Sequence, residues 1–237
     1  MPPMIPTADT PAPRPDGQEA RAAIRPPRLL WAAAVASGLI ALFLAASMAT
    51  DAAPFGWDRA ILLALRSAAD PAQPAGPAWL GQAMIAFTAL GDGAILTVVV
   101  AAVAGLLLVR RQWRTAALLL AATISGTALA TEAKLWFLRP RPDLVDHLVA
   151  VRGLSFPSGH AANSAIVYLS IASLVSLVEH GRATRRYTLA VAILLVGAIG
   201  TSRVYLGVHW PSDVLAGWSF GTLWALGWWW LAARLRR

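Results

Sequence analysis

Two histidines in this chain stand in company that could do chemistry. His209 and Asp213 are four positions apart on either side of Pro211, a residue suited to the first turn of a helix. If helical geometry extends back over that interval, the two side chains meet on one face. An aspartate bonded to one imidazole nitrogen fixes the tautomer and leaves the other nitrogen free to attack. The alternative is a helix-capping Asp beside an interfacial His. His160, at the end of Ser155-Phe-Pro-Ser-Gly-His160, offers an acid–base partner. His147 and His180 lack such neighbours and read as loop residues.

The cations near these histidines point to an anion. Lys134 is the only lysine in the sequence, beside 19 arginines. Alone it would read as a side chain snorkelling to lipid headgroups. With Arg141 and Arg203 at the same depth, three positive charges need something negative between them. Phosphate fits, with arginine supplying forked donors and lysine a point charge. Ser158 could cap the helix that follows, where free backbone N–H groups face an anion. Gly159 lets the backbone come close.

The elements that must position these residues are membrane spans. The chain of 237 residues is 57% hydrophobic and 14% charged, against about a quarter charged in a soluble domain. Its apolar residues lie in uncharged blocks: Leu29 to Thr50, Gly93 to Val109, Thr115 to Thr131, Gly159 to Val178, Tyr187 to Ser202 and Val214 to Ala233. A bilayer crossing takes about 20 residues, so the shorter blocks must extend into their polar flanks. The expected fold is all-α, a polytopic bundle of about six transmembrane helices. The first block is too long for a signal-peptide core of about 7–15 residues and reads as a retained anchor. Residues 1–28, rich in Pro, Ala and Arg, read as a disordered cytoplasmic tail, and 29–237 as a single domain.

Arginines set the expected orientation. Arg21, Arg25 and Arg28, then Arg110, Arg111 and Arg114, then Arg182, Arg185 and Arg186, then Arg234, Arg236 and Arg237 all fall on one side if six spans are crossed. That side is expected to be cytoplasmic, with both termini there, in a multi-pass inner-membrane protein. Segments 51–92, 132–158 and 203–213 then share the outer face. Within the first, Asp58 to Arg66 groups Ile61, Leu62 and Leu65 at helical spacing, as an interfacial amphipathic helix or an ordinary packed one. The sequence has no cysteine, which excludes disulfides and thiolate metal sites. Its net charge of +8 comes without a basic stripe interleaved with aromatics, so nucleic acid is not an expected partner. Asp143 and Asp146 stand near the site without further ligands, and no metal or other cofactor is expected.

The segments Lys134 to Pro142, Ser155 to His160 and Ser202 to Asp213 together resemble the type-2 phosphatidic acid phosphatase superfamily, which also contains vanadium haloperoxidases. Its signature K-x6-R-P, P-S-G-H and S-R-x5-H-x3-D reads here as Lys134 to Arg141-Pro142, Pro157 to His160, and Ser202-Arg203 to His209 and Asp213. Three linked motifs at fixed spacing are far more specific than any one alone. The resemblance covers about residues 79–233. It implies that His209 attacks phosphorus to give a phosphohistidine, oriented by Asp213. It also implies that His160 protonates the leaving alkoxide and then activates water. Lys134, Arg141, Arg203, Ser158 and Gly159 would hold the phosphoryl oxygens. The implied function is a membrane lipid phosphatase acting on undecaprenyl diphosphate, phosphatidylglycerophosphate, phosphatidate or lipid A phosphates. A phosphotransferase using the same histidine, a haloperoxidase, and a transporter with an anion-binding vestibule are the alternatives. The eleven tryptophans suit interface anchoring and do not choose among lipids.

Overall fold

The computed structural model describes residues 28–68, 70, 72–179 and 181–236. The expected tail therefore lies almost wholly outside the described residues, as do Arg21, Arg25, Arg237 and His180. Among the described residues the regular elements are eight helices: α1 (Arg28–Thr50), α2 (Gly56–Ala64), α3 (Ala78–Ala89), α4 (Gly93–Val109), α5 (Trp113–Phe137), α6 (Gly159–Val175), α7 (Arg182–Tyr205) and α8 (Pro211–Leu235). α6 contains a π-helical turn over Ala165–Leu169.

The six expected blocks all become helix. Leu29–Thr50, Trp113–Phe137 and Arg182–Tyr205 are each long and apolar enough to cross a membrane. α3 and α4 meet that test together, as a pair bent by 54°. The bend has a local cause. Gly91 N–H donates to Thr88 O and Asp92 N–H to Ala89 O, closing α3, while the Asp92 carboxylate caps α4 by accepting from Ala94 N–H at 2.9 Å. α6 and α8 complete the six blocks, although neither meets that test. α6 is short but apolar nearly all round, which suits the centre of a bundle.

α6 is that centre. Its Ala165, Val167 and Tyr168 pack with Leu96 and Val100 of α4 and with Val196 and Ile199 of α7. On other sides its Ala162 and Ile166 meet Ala130 of α5, and its Leu174 meets Leu119 of α5 and Ala232 of α8. The outward surface is apolar: Leu39 and Phe43 of α1, Val98 of α4 and Leu194 of α7 are more than half exposed. In a bilayer those side chains face acyl chains, which removes the penalty such a surface would carry in water. The chain is an all-helical membrane protein.

Of the two expectations for segment 58–66, the burial of Asp58 and Leu62 favours the packed helix. α2 forms, but Ile61, Leu62 and Leu65 do not share one environment: Leu62 is buried and Ile61 is 43% exposed. Asp58 is buried on the inward side, so α2 is a packed helix anchored by a charge.

Candidate active site

The ends of α3, α5, α6 and α7, with the loops 138–158 and 206–210, surround a cavity of about 520 Å3. Lys134, Arg141, Gly159, His160, Arg203 and His209 all line it, together with Thr88, Asp92 and Arg152. Asp213 lies behind His209, fully buried. Six of the eight residues singled out from sequence thus line the cavity. Asp213 and Ser158 are buried and do not line it, and Ser158 N–H donates to Asp213 O at 3.0 Å.

Each cation is held by a different device. Lys134 sits in the last turn of α5, not in the loop beyond it, and its ammonium donates to Leu154 O at 3.1 Å. Arg141 is fixed by three carbonyls, with Nε donating to Gly153 O, Nη1 to Val208 O and Nη2 to Arg152 O. Arg203, in the last turn of α7, donates from Nη1 to Thr88 Oγ1 at 2.7 Å, while its buried Nε has no partner. A buried guanidinium N–H left unpaired beside two further cations is suited to an anionic oxygen.

The expected cap at the start of α6 forms only through the backbone. Ala162 N–H donates to Ser158 O, but Ser158 Oγ makes no capping bond and is buried without a partner. The backbone still brings Gly159 against Lys134, whose Nζ lies 3.7 Å from where a glycine Cβ would be. His160 follows, its ring packed against Gly91 at the α3–α4 bend.

His209 and Asp213 meet, though not through an extended helix. α7 ends at Tyr205, and Gly207, with φ +76°, supplies the left-handed turn that brings the chain back. α8 begins only at Pro211, and Asp213 folds back on its own N-terminus, accepting from Trp210 N–H at 2.9 Å. That capping contact places Asp213 Oδ2 3.4 Å from His209 Nδ1. Ser155 Oγ donates to the same Oδ2 and lies 3.3 Å from Nδ1.

The other imidazole nitrogen, Nε2, lies 3.2 Å from Arg141 Nη1. A guanidinium only donates, so this contact makes Nε2 the acceptor and leaves the ring proton on Nδ1, facing Asp213. Burial lowers the His209 pKa well below the usual histidine range, opposed by its bond to Asp213. The unprotonated lone pair therefore faces the cavity.

Several residues at this site escaped the sequence reading. Thr88 and Asp92 reach it from α3 and the bend, where the only signal was the Gly91-Asp92-Gly93 break. Ser155 stood inside a segment already singled out, yet a lone serine two positions before a motif carries no pattern. Arg139 is the largest fully buried side chain, and it bonds Asp58, Ser212 and Asp213. Its signal was the doubled Arg139-Pro140-Arg141-Pro142. His147 stays outside the cavity, its Nε2 on Pro142 O at 2.8 Å. Asp143 and Asp146 are exposed, and the described residues contain no group of three or more His, Asp or Glu that could hold a metal ion.

Comparison with known proteins adds a second line of evidence. The family model of the PAP2 superfamily matches residues 115–237. A phosphatidylglycerophosphatase B of Bacillus subtilis is 38% identical over 149 residues, covering 61% of this chain and 71% of the relative. A decaprenylphosphoryl-5-phosphoribose phosphatase of Mycobacterium tuberculosis is 34% identical over 47% of this chain and 56% of its own length. Among solved structures, a transmembrane PAP2-type phosphatidylglycerolphosphate phosphatase from Bacillus subtilis superposes with a TM-score of 0.70 at 32% identity. That match covers 86% of this chain and 95% of the other.

Proposed function

Because this chain belongs to the PAP2 superfamily and is a phosphatase of that family, we propose that it hydrolyses a lipid phosphomonoester, phosphatidylglycerophosphate foremost, through a phosphohistidine at His209. The observation that carries the mechanism is the His209 Nε2 lone pair facing a cavity shared by Lys134, Arg141, Arg203 and His160. In the first step a bond forms from Nε2 to phosphorus while the bond from phosphorus to the lipid alkoxide breaks. His160 gives the alkoxide its proton. In the second step His160 takes a proton from water, whose oxygen attacks phosphorus and breaks the N–P bond, releasing phosphate. Asp213 opposes the positive charge that grows on the imidazole as Nε2 attacks. Lys134, Arg141 and Arg203 bear the charge on the phosphoryl oxygens, and removal of one such donor costs about 10²–10³ in turnover.

The substrate assignment rests on a similar sequence and a similar solved structure, both from Bacillus subtilis and both named for phosphatidylglycerophosphate, the structure sharing the fold over 95% of its length. The site would face the extracytoplasmic side, because arginines gather at the other end of the bundle, where Arg111, Arg114 and Arg236 line one cavity.

The test is phosphate release by the purified protein from a panel of phosphatidylglycerophosphate, phosphatidate, undecaprenyl diphosphate and lipid A phosphates. The first should give the highest kcat/KM. A higher value for another member would replace the substrate and leave the class standing. His209→Ala should form no phosphoenzyme. Activity should survive excess chelator, since protein cations neutralise the phosphoryl group. Loss in EDTA with recovery on adding a divalent ion would overturn the metal-free chemistry.

A further inference from the structure

Three formal charges lie fully buried behind His209: Asp58 of α2, Arg139 of the 138–158 loop and Asp213 of α8. Their geometry is saturated. Arg139 Nε donates to Ala52 O, Nη1 to Ser212 Oγ and Asp213 Oδ1, and Nη2 to Ala53 O and Asp58 Oδ2. Five N–H donors thus meet five acceptors, the full capacity of a guanidinium. Asp58 is equally committed, accepting from Ser212 N–H at 2.8 Å, Ser212 Oγ at 2.6 Å and Phe55 N–H at 3.1 Å. Leu138, immediately before Arg139, holds φ +48°, a left-handed conformation unfavourable to leucine that turns the chain at the end of α5.

We propose that Arg139 and Asp58 are positioning residues that act through Asp213 on the nucleophile. The proposal rests on His209 as nucleophile. Arg139 grips Asp213 by Oδ1 and so presents Oδ2 to His209 Nδ1. Asp58 has a separate task. A guanidinium bonded to Asp213 alone would cancel the charge that the imidazole needs. With Asp58 neutralising Arg139, two carboxylates and one guanidinium leave one negative charge, and it stands beside the ring that becomes positive. α2 is thereby part of the catalytic centre, although no atom of it lines the cavity.

An ion pair that merely anchored α2 would make the same contacts, so the test must read charge as well as stability. Arg139→Gln makes the buried array more negative, and Asp58→Asn makes it less so. The other charged or titratable groups around His209 and its cavity are Asp213, Arg141, Lys134, Arg203, His160, Asp92 and Arg152, and they are the same in both variants. Both should lower kcat about 10- to 100-fold, the usual effect of losing a partner that orients a functional histidine. KM should change little. The acid limb of the kcat/KM profile should lie higher in Arg139→Gln than in Asp58→Asn, by on the order of one pH unit. Arg139→Lys, which keeps the charge without the fork, should fall between wild type and Arg139→Gln in kcat. Thermal melting and vanadate inhibition report whether each variant is folded, and the pair Asp58→Asn with Arg139→Gln removes both buried charges together.

Wild-type kcat in folded Arg139→Gln, or coincident acid limbs in the two single variants, would overturn the proposal. So would failure of every variant to fold, since the network would then be structural alone. His209→Ala in the same assay separates the two readings: full activity there removes the nucleophile itself, whatever Arg139 does.

Discussion

At the scale of single residues, the proposed attack on phosphorus needs a neutral imidazole and a proton for the departing alkoxide, and the proposal gives these demands to different histidines. Burial keeps His209 unprotonated, against the pull of Asp213. The consequence for stability has a definite sign. An unfolded histidine titrates near about 6.5, and the folded value here is lower, so the unfolded chain takes up the proton first as pH falls. The contribution is whole above about pH 6.5 and shrinks below it, by up to about 1.4 kcal/mol per pH unit. The thermal midpoint in detergent should therefore drop between pH 7 and pH 5, and His209→Gln should flatten that slope; parallel slopes would contradict the burial argument. His160 carries the other demand. With a lipid substrate, His160→Ala should lose about 10²–10⁴ in turnover, and the loss should shrink with p-nitrophenyl phosphate, whose leaving group departs without a proton. A defect of equal size on both substrates would remove His160 from the role of acid. Asp213→Asn should reduce kcat more than it raises KM, because it disturbs the tautomer and leaves the phosphate cradle in place.

Between elements, the contact that sets the position of His160 is made of backbone. A Cβ on Gly217 of α8 would stand 2.8 Å from Ser158 O and 2.9 Å from Ala162 N, and one on Gly221 would overlap the Ala165 methyl. Small residues four apart let α8 lie directly on the start of α6. Gly217→Ala should push the two helices apart, costing about 1–3 kcal/mol and lowering activity, since His160 rides on α6. Gly227→Ala, where nothing lies within 4 Å, serves as the control and should be neutral or mildly stabilising. A Gly217→Ala protein as stable and active as the control variant would refute the close-contact account. This level also marks how far the sequence could be read. The spans were legible because lipid demands continuous apolar runs, and the three motifs because their residue types and spacing are rare together. The Asp58–Arg139 link was not legible, because a buried ion pair leaves no periodicity and its partners share no segment. The cap made by Asp213 was one of two readings left open, because a cap and a continuous helix both bring positions four apart together. Ser158 was given a capping hydroxyl on residue type alone, and only coordinates show which oxygen makes the bond.

Taken whole, the molecule is polarised along the membrane normal. Arg114 and Lys134 lie near opposite ends of α5, separated by 20 residues or about 30 Å of helix, which matches the hydrocarbon thickness. The site cations and the arginine cavity therefore sit at opposite surfaces. The absence of native cysteine makes a labelling test clean. If the proposed orientation holds, Asp143→Cys, in the exposed 138–158 loop, should react with an impermeant thiol reagent in intact cells, and Gln112→Cys should react only after permeabilisation. The reverse pattern would invert the proposed orientation. The buried charges add a constraint in time. Asp58 bonds Ser212 across a separation of 154 residues, so the buried charges come together only once α8 has joined the bundle. Under the proposed mechanism, a chain made only as far as α7 holds Lys134, Arg141 and Arg203 without His209 or the Asp213 carboxylate. Such a chain would leave lipid uncut.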